Sequence, residues 1–201
     1  MLWVGPTRGD ELARLSPIFG RVSELDPRDA VGGAGTFEKR ALDGAGVDLA
    51  VLPPTLGDVK RWAPEARPRE AWHSLLRAIH ARIKPGGHVF VAAQTRWAIS
   101  RAFPLGAPCS FPASLRAYRA VLVKAGFGGI RVWCTFPDCE DSKFLVECRQ
   151  PVFDHFLRVL APRPRGAERW AARGVLNAVG ALKYTGRWYW ILGRRNAVTS
   201  G

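Results

Sequence analysis

Apolar and polar positions alternate along the chain in a way that predicts strands separated by helices. Leu2–Gly5 is a short apolar run with the look of a buried strand. Gly9–Leu15 then mixes apolar and charged residues at helical spacing, with Leu12 and Leu15 on one side, and Pro17 is expected to end that helix. Arg21–Asp26 predicts a second strand, closed by Pro27. Pro27–Gly46 is glycine-rich and has room for at most one short strand, around Phe37–Ala41. Val47–Leu52 is apolar apart from one acid, as expected of a central parallel strand, and Pro53-Pro54 stops it.

The clearest helix is Pro68–Lys84. Trp72, Leu75, Leu76, Ile79 and Ile83 recur three and four apart, Pro68 suits a first turn, and Lys84 suits the negative C-terminal end before Pro85-Gly86-Gly87. His88–Ala93 follows as a buried strand. Pro112–Ala125 is a second helix, its face made by Leu115, Tyr118, Leu122 and Ala125; Ala125–Phe127 turns into a strand over Ile130–Phe136. Lys143–Cys148 is a weaker strand candidate. Val152–Leu160 and Ala167–Lys183 read as helices, and Trp188–Leu192 closes the chain as a strand. Strands alternating with helices predict an α/β domain whose mostly parallel sheet is covered on both faces. Such sheets bind ligands at the carboxyl ends of their strands.

Composition narrows this picture. The 201 residues fit one domain, and 47% hydrophobic with 23% charged residues is ordinary for a globular protein. No apolar run approaches the roughly 20 residues needed to cross a bilayer, and no secretory signal is evident, so a cytoplasmic location is expected. Cys109, Cys134, Cys139 and Cys148 form no CxxC pair and have no histidine at zinc spacing, so reduced thiols and no metal site are expected. The net charge of +13 is uneven. Arg149 to the C-terminus holds ten basic residues against Asp154 and Glu168. Such a field attracts RNA, an anionic membrane surface or phosphorylated substrates. Trp170, Tyr184, Trp188, Tyr189 and Trp190 interleave with those cations and suit base stacking, a peripheral membrane interface, or packing on the sheet.

Three stretches carry a resemblance: "VDLAVLPPTLGDV", "LLRAIHARIKPGGHVFVAA" and "YRAVLVKAGFGGIRVW". A strand, a helix, a KPGG turn, a strand, a helix and an AGF turn into a further strand follow in that order. The chain from residue 1 to about 136 thereby resembles the class I S-adenosylmethionine-dependent methyltransferases. The resemblance implies a Rossmann-like fold in a single domain over 1–201. It also implies an antiparallel last strand, and 137–186 as a basic helical insertion before it. It places the cofactor loop on Gly5, Thr7, Arg8 and Gly9 and the ribose-holding acid on Asp26. Leu52 and Pro53 would border the cofactor, and Gln94, Thr95 and Arg96 would meet the acceptor. The function implied is methyl transfer from S-adenosylmethionine to a small-molecule, glycan or lipid-linked acceptor.

The sequence departs from the family at three places: Trp3 stands where an acid is usual, Thr7 where a glycine is usual, and only 21 residues separate Asp26 from Asp48. A helix in that connection must be absent or reduced to a turn. These departures define a second reading, a methyltransferase-like binding or scaffold module without catalysis, working on RNA or within a ribonucleoprotein. Individual residues have plainer readings too: His73 and His80 as structural residues on one side of the strong helix, and Asp138, Glu140 and Asp141 as a solvated loop.

Overall fold

The computed structural model describes residues 1–5, 11–31, 46–53, 59–94, 114–136, 144–149, 151, 152, 155 and 188–196. They contain β1 (Leu2–Val4), α1 (Glu11–Phe19), β2 (Ser23–Leu25), α2 (Pro27–Val31), β3 (Val47–Leu52) and α3 (Val59–Trp62). There follow α4 (Pro68–Arg82), β4 (Ile83–Gln94), α5 (Leu115–Lys124), β5 (Phe127–Phe136), β6 (Phe144–Glu147) and β7 (Trp188–Arg195). The seven strands form one sheet in the order β2-β1-β3-β4-β7-β5-β6. β1, β2, β3 and β4 pair in parallel, whereas β7 runs antiparallel to both β4 and β5, and β6 antiparallel to β5. This is the α/β, Rossmann-like arrangement that the sequence predicts, with the antiparallel closing strand inserted between two parallel ones.

The core lies where helical and strand periods bury the same face. Leu2 and Val4 of β1, Ala50 and Leu52 of β3, and Val89, Val91 and Ala93 of β4 pack in one cluster with Trp72, Leu75, Leu76 and Ile79 of α4. Each large side chain there contributes on the order of 1.5–3 kcal/mol by leaving water. Trp72 is edge-on to both Trp62 and Tyr118, with ring centroids at 6.3 and 5.9 Å, which ties α3, α4 and α5 together. Leu115, Tyr118, Leu122 and Ala125, the expected face of α5, are all buried. Ser114 caps that helix, its Oγ accepting from Ala117 N–H at 3.2 Å. On the other side of the sheet, Phe90 stacks on Trp190 at 4.4 Å and meets Trp133 edge-on at 6.3 Å. Tyr189 is fully buried, so the described aromatics of β7 pack on the sheet.

Several boundaries differ from the sequence expectation. Pro17 does not end α1. The helix runs on to Phe19 and stops at Gly20, whose φ of +68° and N–H donated to Ser16 O at 2.8 Å make a left-handed terminus. A proline costs a helix the bond to residue i−4, but one short turn can follow it before a glycine stop. Lys84 is not part of α4. Ile83 is already extended (φ −70°, ψ 133°), and Lys84, which precedes Pro85, is disfavoured from helical geometry by that proline. β4 therefore starts at Ile83 instead of His88, and Lys84 Nζ pairs with Asp48 Oδ1 at 2.9 Å. The C-terminus of α4 is held instead by Arg195 of β7. Its Nη1 donates to the carbonyls of His80 at 2.9 Å and Ala81 at 3.3 Å, and to that of Ile83. Lys143–Cys148 and Trp188–Leu192 both contain strands, and β5 begins at Phe127, directly after the turn. The expected strand at Phe37–Ala41 lies outside the described residues, as does most of the 137–186 insertion; within it β6 is a strand, and of the expected Val152–Leu160 helix only Val152 and His155 are described, both helical.

Candidate active site

The chain order of the strands fixes where a ligand can sit. From β1 the chain moves outward to β2, then crosses back over β1 to reach β3. The point where the direction reverses leaves a crevice above the carboxyl ends of β1 and its two neighbours. Val4 pairs with Leu25, and Trp3 with Val51. Continuing those registers sets Gly5 level with Asp26 on one side and Pro53 on the other, at strand spacings of about 4.8 Å. Gly5 N–H donates to Leu25 O at 2.8 Å, which locks the first two strand ends together. Gly5 is buried with φ +113°, a backbone that a side chain would strain, so this turn out of β1 requires glycine.

Asp26 sits at the mouth of the crevice and is exposed. Its Oδ1 accepts from Arg28 N–H at 2.8 Å, and its carbonyl accepts from Asp29 N–H at 3.1 Å. Asp26 is thus the N-cap of α2, with Pro27 at the first helical position. α2 has five residues and is the helix described in the connection between Asp26 and Asp48, of which 32–45 lie outside the described residues. Capping engages one carboxylate oxygen and leaves the other facing solvent. A carboxylate there can accept the two hydroxyl hydrogens of a ribose.

The other expected residues divide sharply. Leu52 is fully buried in the core and Pro53 is buried, so they offer backbone and shape rather than polar side-chain groups. Thr7, Arg8 and Gly9 lie outside the described residues, as do Thr95, Arg96 and the Gln94 side chain. Asp138, Glu140 and Asp141 also lie outside them. Trp3 projects from β1 to the opposite face from Leu2 and Val4, and its indole N–H is buried without a hydrogen-bond partner among the described residues. Trp3 can only donate, so the crevice has no acceptor at this position.

A cavity of about 670 Å³ lies between α2 and the α3–α4 turn. Arg28, Arg61, Trp62, Ala63, Pro64, Glu65 and Ala66 line it. Sequence reasoning missed it because it joins α2 to the α3–α4 turn, a meeting that no local pattern announces. Away from the crevice, His80 stands edge-on to Phe127 at 5.0 Å, a packing role, and His73 Nε2 is buried without a partner. Burial pushes the Cys134 thiol up, which keeps it protonated and inert. Cys134 and Cys148 are free thiols, and Cys109 and Cys139 lie outside the described residues. Among the described residues no group of three His, Cys, Asp or Glu side chains is placed to hold a metal ion. Among them, too, no helix is long and apolar enough to cross a membrane.

Solved structures of similar shape agree with this geometry. An S-adenosylmethionine-dependent methyltransferase from Archaeoglobus fulgidus matches with a TM-score of 0.54 at 14% identity, over 96% of this chain and 84% of that one. Phosphoethanolamine N-methyltransferase 2 from Haemonchus contortus, in complex with S-adenosyl-L-methionine, matches with a TM-score of 0.52 at 14% identity. That match covers 98% of this chain and 48% of the enzyme, so the present chain spans about half its length. The fold is that of the S-adenosylmethionine-dependent methyltransferases. No protein-family model matches the sequence, and no curated protein does. Measured against that fold, β1, β2, β3 and β4 form the parallel half of the sheet, and β7 is the antiparallel strand that closes it. The residues present fit an adenosyl cofactor at its ribose, where Asp26 offers a carboxylate, and beside Gly5, where no side chain intervenes. At Trp3 they offer a donor and no acceptor.

Proposed function

We propose that the crevice over β1 binds S-adenosylmethionine and that the protein transfers its methyl group to a small-molecule, glycan or lipid-linked acceptor. The observation that carries this reading is the pair at the switch point: a positive-φ glycine at the end of β1, level with a solvent-facing carboxylate at the end of β2. Asp26 would accept hydrogen bonds from the ribose hydroxyls, and the bare backbone of Gly5 would let the cofactor lie close to the strand end. Thr7, Arg8 and Gly9 would continue the loop around it. Leu52 and Pro53 would form an apolar wall. S-adenosylmethionine supplies a methyl group already activated on a sulfonium. The chain's task is then to position the acceptor in line with it, which is the larger part of catalysis for such a displacement. The acceptor would sit above the carboxyl end of β4, where Gln94, Thr95 and Arg96 follow in sequence. An acidic hydroxyl or phenol as acceptor would need a general base, whereas an amine would not.

Calorimetric titration with S-adenosylmethionine and S-adenosylhomocysteine tests the reading. Binding is expected, and Asp26→Ala is expected to weaken it by about 1–3 kcal/mol, the range for a lost hydrogen bond to a charged group. Asp26→Asn, which keeps a capping oxygen for α2, separates the ligand contact from the cap. Absence of heat and of thermal stabilisation at millimolar ligand would sink the enzyme reading. It would leave the non-catalytic binding module, the reading that Trp3 favours.

A further inference from the structure

The cavity between α2 and the α3–α4 turn has a built-in chemical polarity. Its floor is apolar, with Trp62 and Ala63 each 6% exposed. Its rim carries two guanidinium groups from different elements, Arg28 of α2 and Arg61 of α3, against one acid, Glu65. Arg28 is held at both ends. Its backbone N–H is fixed by Asp26 Oδ1 at 2.8 Å, and its Nη2 donates to Arg61 O at 3.3 Å. That bond ties the guanidinium to α3 on the cavity lining, and its remaining donors have no partner among the described residues. A planar fork of donors, oriented before binding, matches the paired oxygens of a carboxylate or phosphate. At about 670 Å³ the cavity has the size of a small-molecule site, and an apolar floor with a few oriented polar groups at the rim is the usual make-up of one.

We infer that this cavity is a binding site for a small organic oxyanion, its apolar body resting on Trp62 and Ala63 and its charged head held by Arg28 and Arg61. Gly5, Asp26 and Pro53 are not among its described lining residues, but Asp26 caps the helix from which Arg28 projects. An occupied cavity would therefore bear directly on the position of Asp26.

Three probes that share a phenyl ring and differ in charge and head group test this in the full chain: phenyl phosphate, benzoate and benzyl alcohol, titrated by calorimetry at fixed ionic strength. Phenyl phosphate is expected to bind at least tenfold more tightly than benzyl alcohol. Benzoate will fall near phenyl phosphate if the site reads any carboxylate-like oxyanion, and near benzyl alcohol if it reads phosphate alone. Arg28→Gln with Arg61→Gln is expected to cost phenyl phosphate at least tenfold and to leave benzyl alcohol unchanged. Arg28→Lys should recover only part of the loss, because it restores charge without the fork. The control removes two exposed arginines from α5, Arg116→Gln with Arg119→Gln, and should leave all three affinities as they were. Equal binding of the neutral probe overturns the inference, and so does an equal loss in the α5 control, which would assign the attraction to the protein's general positive field. S-adenosylmethionine is titrated separately, so a protein that binds phenyl phosphate but no adenosyl ligand refutes the proposed function and not this site.

Discussion

The two ends of the sheet are finished differently. At the amino ends of β4 and β5, polar groups are closed on one another. Arg195 satisfies three carbonyls around the end of α4, Lys84 meets Asp48, and His80 packs on Phe127. At the carboxyl ends of β1, β2 and β3 they are left open. Asp26 keeps an oxygen facing solvent, and Arg28 keeps donors over a cavity. Buried polar groups are costly unless paired, so the closed end is what a stable fold demands. The open end is what a ligand site demands. The difference divides the molecule into a clamp and a candidate site, and substitutions should respect that division.

The largest effect belongs to the clamp. Three carbonyl bonds from one guanidinium, at the negative end of a 15-residue helix, make Arg195→Ala the sharpest test. The substitution is expected to cost about 2 kcal/mol, or about 5 °C in melting temperature, while leaving ligand affinity at the crevice unchanged. A variant that melts like the wild type would show that the end of α4 is held by packing alone. One that loses ligand as well would break the division between the two ends.

A smaller effect follows from pH. Burial holds His80 below the usual histidine range, and the Arg195 charge adds to this, while a hydrogen bond with the Gly126 backbone opposes both. The unfolded chain then binds the proton more readily than the fold does. The contribution is therefore complete above about pH 6.5 and declines as the pH falls below it. Melting curves at pH 7.5 and 5.5 should show a loss on acidification, and His80→Gln should reduce that loss. An unchanged difference would take His80 out of the clamp.

The clamp and the site were unequally visible in the sequence. The strand and helix cores were legible because they rest on local periodicity: α4 and α5 bury the residues that recur three and four apart. The positions of Gly5 and Asp26 were legible because each directly follows a strand, and strand ends at the switch point are where an α/β sheet can place a ligand. What could not be read depends on residues far apart in the chain. Arg195 reaches carbonyls more than 110 positions away, and Arg28 meets Arg61 across 33. Lys84 was assigned to the helix dipole by its position, yet it serves a strand neighbour, because the proline after it had already ended the helix. Trp3 was legible as an exception, but its unpaired N–H emerges only from the packing around β1.

The smallest effect is the most discriminating. Lys84 and Arg195 are both cations at the same end of the sheet, and the Lys84 hydrogen bond holds the Asp48 carboxyl below the usual carboxylate range. Their surroundings differ. The Lys84 and Asp48 side chains are 47% and 79% exposed, so water and salt screen the pair and an ordered lysine loses rotamer freedom to form it. Arg195 donates to carbonyls of which two are partly buried. Lys84→Ala is accordingly expected to leave the melting temperature unchanged within error, at low and at high salt alike. The result matters because both substitutions remove one positive charge from a chain of net charge +13. If the clamp works by bonding carbonyls at the end of α4, only Arg195→Ala destabilises. If Lys84→Ala costs as much, the amino end is held by charge near Asp48 and not by the arginine's geometry, and the distinction between a bonded end and an open one loses its basis.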